Sequence, residues 1–221
     1  VEGIHVSSVS HTATSSDPTY NNIEIPEVSF TIQDNDNGAS TVKFAQQTSL
    51  DPKVPTTGAW GPDGRLYIGS FNGVITAYEF DGDYNVISET EITTIKDLDN
   101  NDILGIAFNP FDTDPANPRI YVSHSSLYFN GGSPPLETAP FPYSGEVSVL
   151  EGPDFATRTS LVNNLPVSNH DHGINGLEFD NNGDLYIAVG GITNAGITDD
   201  SIGGLDESPF TAAIVKAEIT K

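Results

Sequence analysis

Trp60-Gly61-Pro62-Asp63-Gly64-Arg65-Leu66-Tyr67-Ile68 and Phe179-Asp180-Asn181-Asn182-Gly183-Asp184-Leu185-Tyr186-Ile187 share one form: an aromatic residue closing a strand, a turn of Gly, Asp, Asn or Pro, and a new strand opening on Leu-Tyr-Ile. A looser copy lies between them, Phe108-Asn109-Pro110 followed by Arg119-Ile120-Tyr121-Val122. Turn residues at a fixed offset between alternating apolar runs predict antiparallel strands. Tyr67, Tyr121 and Tyr186 recur at intervals of roughly 60 residues, a period that fits four-stranded propeller blades carrying loop insertions. These tyrosines read as packing residues. Two nearly complete blades and the start of a third are expected. A closed propeller typically needs about 4–8 blades, so the reading also expects more of them after Lys221.

The alternation continues upstream, in Gly3-Ile4-His5-Val6-Ser7-Ser8-Val9 and Val28-Ser29-Phe30-Thr31-Ile32. Helical periodicity is absent apart from a short stretch around Phe210 to Ala217, so the chain is read as all-β. Asp34-Asn35-Asp36-Asn37-Gly38-Ala39-Ser40 ends one pattern before another begins, which places a boundary near residue 38. Residues 1–38 then supply the last strands of a β-sandwich and residues 39–221 a partial β-propeller of about three blades. So short a first segment makes two or three strands, and the rest of that sandwich is expected before Val1. The proline-rich insertion from Ser123 to Ser144 reads as a structured surface loop.

Acidic residues outnumber basic ones 31 to 8, for a net charge of −23. Such a field repels phosphate backbones and anionic membrane surfaces, so no nucleic-acid partner is expected. No run is long and apolar enough to span a bilayer, and no direct membrane insertion is expected of this segment. The absence of cysteine excludes disulfides, thiolate metal sites and cysteine nucleophiles. No Gly-x-Ser-x-Gly elbow, Gly-x-x-x-x-Gly-Lys loop or His-Glu-x-x-His pair occurs, which removes the common hydrolase, nucleotide and zincin classes.

Two constellations can carry chemistry. Asp34 and Asp36, at the strand-to-linker turn, are candidate calcium ligands, because that ion takes six to eight oxygens and a turn can aim side chains and carbonyls at one point. Neither this cluster nor Asp97-x-Asp99-x-Asn101 satisfies the EF-hand spacing. The other is Asn169-His170-Asp171-His172-Gly173-Ile174-Asn175-Gly176-Leu177-Glu178-Phe179. Imidazole moves protons near neutral pH, so a functional histidine beside a carboxylate is expected here. On a strand His170 and His172 would share a face; in a turn they would bond to the backbone.

Residues 1–36, with Val1-Glu2-Gly3-Ile4-His5, His11 to Asn21 and Val28 to Asp36, resemble the closing third of a Calx-beta module, a calcium-binding sandwich of large surface proteins. That resemblance implies that Asp34 and Asp36 belong to the module's terminal acidic motif. Residues 41–200, on the strength of Trp60 to Gly69, Leu104-Gly105-Ile106-Ala107-Phe108-Asn109-Pro110 and the His172 to Gly191 stretch, resemble the six-bladed propeller of soluble quinoprotein glucose and sorbosone dehydrogenases. Alignment on Leu177 and Tyr186 makes His172 the counterpart of the catalytic histidine, which takes a proton from the sugar while hydride passes to pyrroloquinoline quinone (PQQ) polarised by calcium. Two positions depart from that pattern: Asn175 stands where the family has Gly, and Gly191 replaces the closing Asp that would orient the histidine. The chain also offers few cations for a tricarboxylate cofactor.

The leading expectation is therefore part of a secreted or cell-surface modular protein. Calcium-binding sandwich repeats would present a propeller that binds a small-molecule or glycan ligand beside neighbouring domains of the same chain. A PQQ-dependent sugar dehydrogenase and a structural matrix or adhesin spacer stand as alternatives.

Overall fold

A computed structural model describes residues 5–10, 12, 14–19, 21–22, 27–32, 44–127, 143–168, 171–200 and 204–219. Asp34, Asp36 and His170 lie outside these. The architecture is all-β, and the chain divides into two compact units, Val1–Gln46 and Gln47–Lys221. In the first unit β1 (His5–Val9) pairs antiparallel with β2 (Val28–Ile32), from His5 opposite Ile32 to Val9 opposite Val28.

The second unit holds three successive antiparallel sheets. The first runs β3 (Pro55–Trp60), β4 (Leu66–Ser70), β5 (Ile75–Phe80) and β6 (Val86–Ile92); the next runs β7 (Asp102–Ala107), β8 (Ile120–Ser125), β9 (Gly145–Glu151) and β10 (Thr157–Leu165). The last contains β11 (Ile174–Phe179), β12 (Leu185–Val189) and β13 (Ala213–Ala217). Each is a meander in chain order, and β7 approaches both β3 and β11, as the inner strands of neighbouring propeller blades do. Helical structure among the described residues is confined to short 3₁₀ turns such as Pro153–Phe155, and no helix is long and apolar enough to cross a membrane.

The repeated sequence makes the repeated hairpin. In the first blade Gly61 N–H donates to Arg65 O at 2.9 Å and Gly64 N–H to Gly61 O at 3.0 Å; in the third, Asp180 N–H donates to Asp184 O and Gly183 N–H to Asp180 O, both at 3.0 Å. Gly64 (φ +79°) and Gly183 (φ +82°) occupy the left-handed position that such a hairpin needs and that side chains disfavour. The looser middle copy uses Asn109, whose Oδ1 accepts Phe111 N–H, to open a longer loop.

Packing between blades follows the period of two. Every residue of β8 is buried: Ile120 and Val122 face the first blade's core with Tyr67, Ile75, Ile103 and Leu150, and Tyr121 faces the third blade's with Leu177 and Ile187. Tyr67 (0% exposed) packs on Phe108 with ring centroids 5.0 Å apart, and Tyr121 (1%) meets Phe179 edge-on at 4.8 Å. Tyr186 is 37% exposed and has no such ring against it among the described residues.

Two local expectations need correction. Phe210 to Ala217 is no helix: Phe210 lies in a turn and Ala213–Ala217 pairs along β12, its residues alternating half-buried and exposed. Ser123 to Ser125 belong to β8 and not to the loop, because the strand continues into a buried polar end that pairs with both neighbours.

Candidate functional site

Meander connections alternate between two ends of the unit. At one end lie the β3–β4, β7–β8 and β11–β12 hairpins. At the other lie the β6–β7, β8–β9, β10–β11 and β12–β13 connections, which touch in sequence. Asn100 Nδ2–H donates to Ser144 O, Ile174 N–H donates to Ser125 Oγ, and the ring of His172 reaches Gly191.

His172 sits in a bend just before β11, the turn alternative of the sequence reading. Ser168 N–H donates to His172 O and His172 N–H donates to Ser168 Oγ, both at 2.8 Å, which closes the bend. The ring's Nδ1 lies 2.9 Å from Gly191 O. A carbonyl only accepts, so Nδ1 carries the hydrogen, and in the neutral ring Nε2 keeps its lone pair. Nε2 lies 3.5 Å from Asp171 Oδ1, and the side chain is 32% exposed, open to a solute. The resemblance led to the expectation that Gly191 would leave the ring without an orienting carboxylate from that position. Here a backbone carbonyl does the orienting.

Glycines allow the close approach. A Cβ on Gly190 would lie 3.1 Å from both Gly173 O and His172 Cβ, and one on Gly173 would lie 3.0 Å from Ser125 Oγ. Gly190 N–H donates to Gly173 O at 3.0 Å, which joins the end of β12 to the histidine bend. Behind them Glu207 accepts Ile192 N–H and Thr193 N–H at 2.9 Å each and the Thr193 hydroxyl at 2.7 Å. The Ile192 N–H above all, then the Thr193 and Thr211 hydroxyls and the Thr193 N–H, hold its carboxyl down to about 2. The backbone of Asn175, the other departure from the quinoprotein pattern, accepts Ser123 Oγ–H at 2.6 Å.

Two ionisable groups at this end carried no sequence signal. Asp102 accepts Leu127 N–H at 2.6 Å, and burial pushes its carboxyl up to about 6. His124 is fully buried, its Nδ1 2.6 Å from Asn100 O and its Nε2 2.9 Å from Ser148 Oγ; Arg158 donates to Ser148 Oγ and to Glu146. Burial lowers the affinity of His124 for a second proton. Ser148 Oγ–H donates to Glu146 Oε1 at 2.9 Å, which ties the partner of His124 into the Arg158–Glu146 pair.

No family model matches the chain, and no curated protein does. Among solved structures it is similar to the PQQ-bound form of an aldose sugar dehydrogenase from Streptomyces coelicolor, at 16% identity and a TM-score of 0.49, over 71% of this chain and 43% of that one. It is also similar to the holo form of the PQQ domain of a pyranose dehydrogenase from Coprinopsis cinerea, at 17% identity and a TM-score of 0.43, over 64% of this chain and 29% of that one. The chain spans less than half the length of these structures.

Five of the cations are engaged with carboxylates. Arg65 pairs with Asp63, Arg119 with Asp112 and Lys216 with Asp184, all at the hairpin end opposite His172. Arg158 pairs with Glu146 and Lys53 with Asp51. A tricarboxylate cofactor needs cationic partners, and these five are already paired, so they do not fit the carboxylates of PQQ, whereas His172 fits a proton acceptor. Among the described residues no group of three His, Asp or Glu side chains is gathered as for a metal ion.

Proposed function

We propose that this chain is part of a quinone-dependent sugar dehydrogenase, in which His172 accepts a proton from a sugar hydroxyl. The observation that carries the reading is the fixed tautomer. The Gly191 carbonyl holds Nδ1–H at 2.9 Å, so that Nε2 is the base on a part-exposed ring at the loop end of the blades. Asp171, 3.5 Å from Nε2, stabilises the imidazolium once the proton arrives. PQQ, if bound, would supply the hydride acceptor. The test is calorimetric titration of PQQ with calcium into the full-length protein, then dye-linked oxidation of aldoses by wild type and His172→Ala. Binding together with turnover that is lost in the variant is the expected result.

A second reading is favoured by the five cations already engaged with carboxylates: a propeller that binds a small-molecule or glycan ligand without turnover. In it a Calx-beta-like sandwich, with calcium on Asp34 and Asp36, presents the propeller outside the cell. Failure of the folded protein to bind PQQ, with retention on a glycan array, would favour it over the dehydrogenase.

A further inference from the structure

The carbonyl that orients His172 and the amide held by Glu207 belong to one peptide unit. Gly191 O accepts from His172 Nδ1 at 2.9 Å, and Ile192 N–H, on the other side of the same planar Gly191–Ile192 bond, donates to Glu207 Oε2 at 2.9 Å. Glu207 Oε1 takes the next amide, Thr193 N–H, and the Thr193 hydroxyl. Three donors on one carboxylate leave this stretch of backbone little freedom to rotate.

Glycine at 191 is what brings the carboxylate so close. A Cβ there would lie 3.2 Å from Glu207 Oε1, tighter than nearly all real contacts, and 3.2 Å from Thr193 O. The carboxylate of Glu207 crowds the space into which a side chain at 191 would extend. A residue sixteen positions away in sequence thus supplies negative charge beside Gly191.

We infer that Glu207 is the positioning residue for His172, acting through the Gly191–Ile192 peptide. The carboxylate fixes the direction of the carbonyl and polarises the peptide. The bonds form a chain, from carboxylate to N–H and from C=O to Nδ1–H, in which each link polarises the next. One consequence follows for the ring: the Nδ1–H tautomer is held, with the Nε2 lone pair left free. This relay is defined by geometry alone, and its catalytic meaning rests on the dehydrogenase reading above.

The experiment is nitrogen NMR of the histidine rings in the full-length protein, wild type against Glu207→Ala and Glu207→Gln, with the buried His124 resonances as the check that each variant is folded. Wild-type His172 is expected as a single Nδ1–H tautomer. Glu207→Ala should give a mixture of tautomers, and Glu207→Gln, which keeps one acceptor oxygen, an intermediate mixture. A pure Nδ1–H tautomer in both folded variants overturns the inference; should Glu207→Ala not fold, the Glu207→Gln spectrum decides. The readout needs neither cofactor nor turnover, so the relay can stand if the protein proves inactive. If the protein is active, a tenfold lower kcat at unchanged KM in Glu207→Gln is the expected kinetic counterpart.

Discussion

Gly105 on β7 is the tightest point between the second and third blades, and replacing it by alanine tests how those blades meet. A Cβ there would lie 2.3 Å from Asn175 O, 2.7 Å from Ser123 Oγ and 3.1 Å from the Asn175 carbonyl carbon. Two of the three obstacles are backbone of β11, so no rotamer change relieves the clash and the strands must part. Overpacking of this kind costs about 1–3 kcal/mol. The hydrogen bond from Ser123 Oγ to Asn175 O, 2.6 Å long, lies across the same gap, and its loss adds about 1 kcal/mol. The sum is about 3 kcal/mol, which lowers the melting temperature by about 6–12 °C in a unit of this size. Gly82, where a Cβ meets nothing within 4 Å, is the matched control, and Gly82→Ala should be neutral or slightly stabilising. The assay is urea denaturation followed by circular dichroism. If Gly105→Ala unfolds within about 0.5 kcal/mol of Gly82→Ala, the close approach of β7 and β11 described above is wrong.

Other perturbations separate further claims. Tyr121→Ala, which opens a cavity against Phe179, should cost about 3–5 kcal/mol, whereas Tyr186→Ala, at a part-exposed ring, should cost less than about 1; equal costs would contradict the blade packing. Asp102 has its carboxyl raised by burial from 3.8 to about 6, so the folded state prefers the protonated form and stability falls as pH rises through that window. Asp102→Asn should therefore gain about 1 kcal/mol at pH 8, after discounting for partial exposure, and nothing at pH 4 in the same urea titrations. His124 is the opposite case, a base whose burial depresses proton uptake. Its contribution is complete above the ordinary histidine value of 6.5 and is lost as pH falls below it, so His124→Gln should flatten that part of the stability profile. A variant as acid-sensitive as wild type would exclude His124 as the cause.

The blades were legible because their hairpins are local. Asp-Gly and Asn-Gly turns, a left-handed glycine and a Leu-Tyr-Ile strand lie within nine residues, and each enforces the next. His172 was legible for a similar reason, through its neighbours in one stretch. The rest depends on contacts across many residues. Glu207 lies in a loop without periodicity, and nothing in its neighbours marks it as the group behind Gly191. His124 follows an apolar run, where a strand's polar end looks solvent-facing; only the blades on both sides bury it. The segment 210–217 misled because its Ala and Lys favour helix while its Ile and Val favour strand, and the pairing with β12 decides between them.

The cation–carboxylate pairs of Asp63, Asp112 and Asp184 have a bearing on how such a molecule can change over time. Each closes its own blade at the hairpin end, and Asp63 and Asp112 also accept their blade's tyrosine hydroxyl. The fasteners thus stand at one end and the proton-handling groups at the other. The connection between β8 and β9 and that between β12 and β13, two of the longest in the unit, both emerge at the second end. Lineages can therefore lengthen, exchange or retune the loops around His172 while the clasps that keep the blades in register stay untouched.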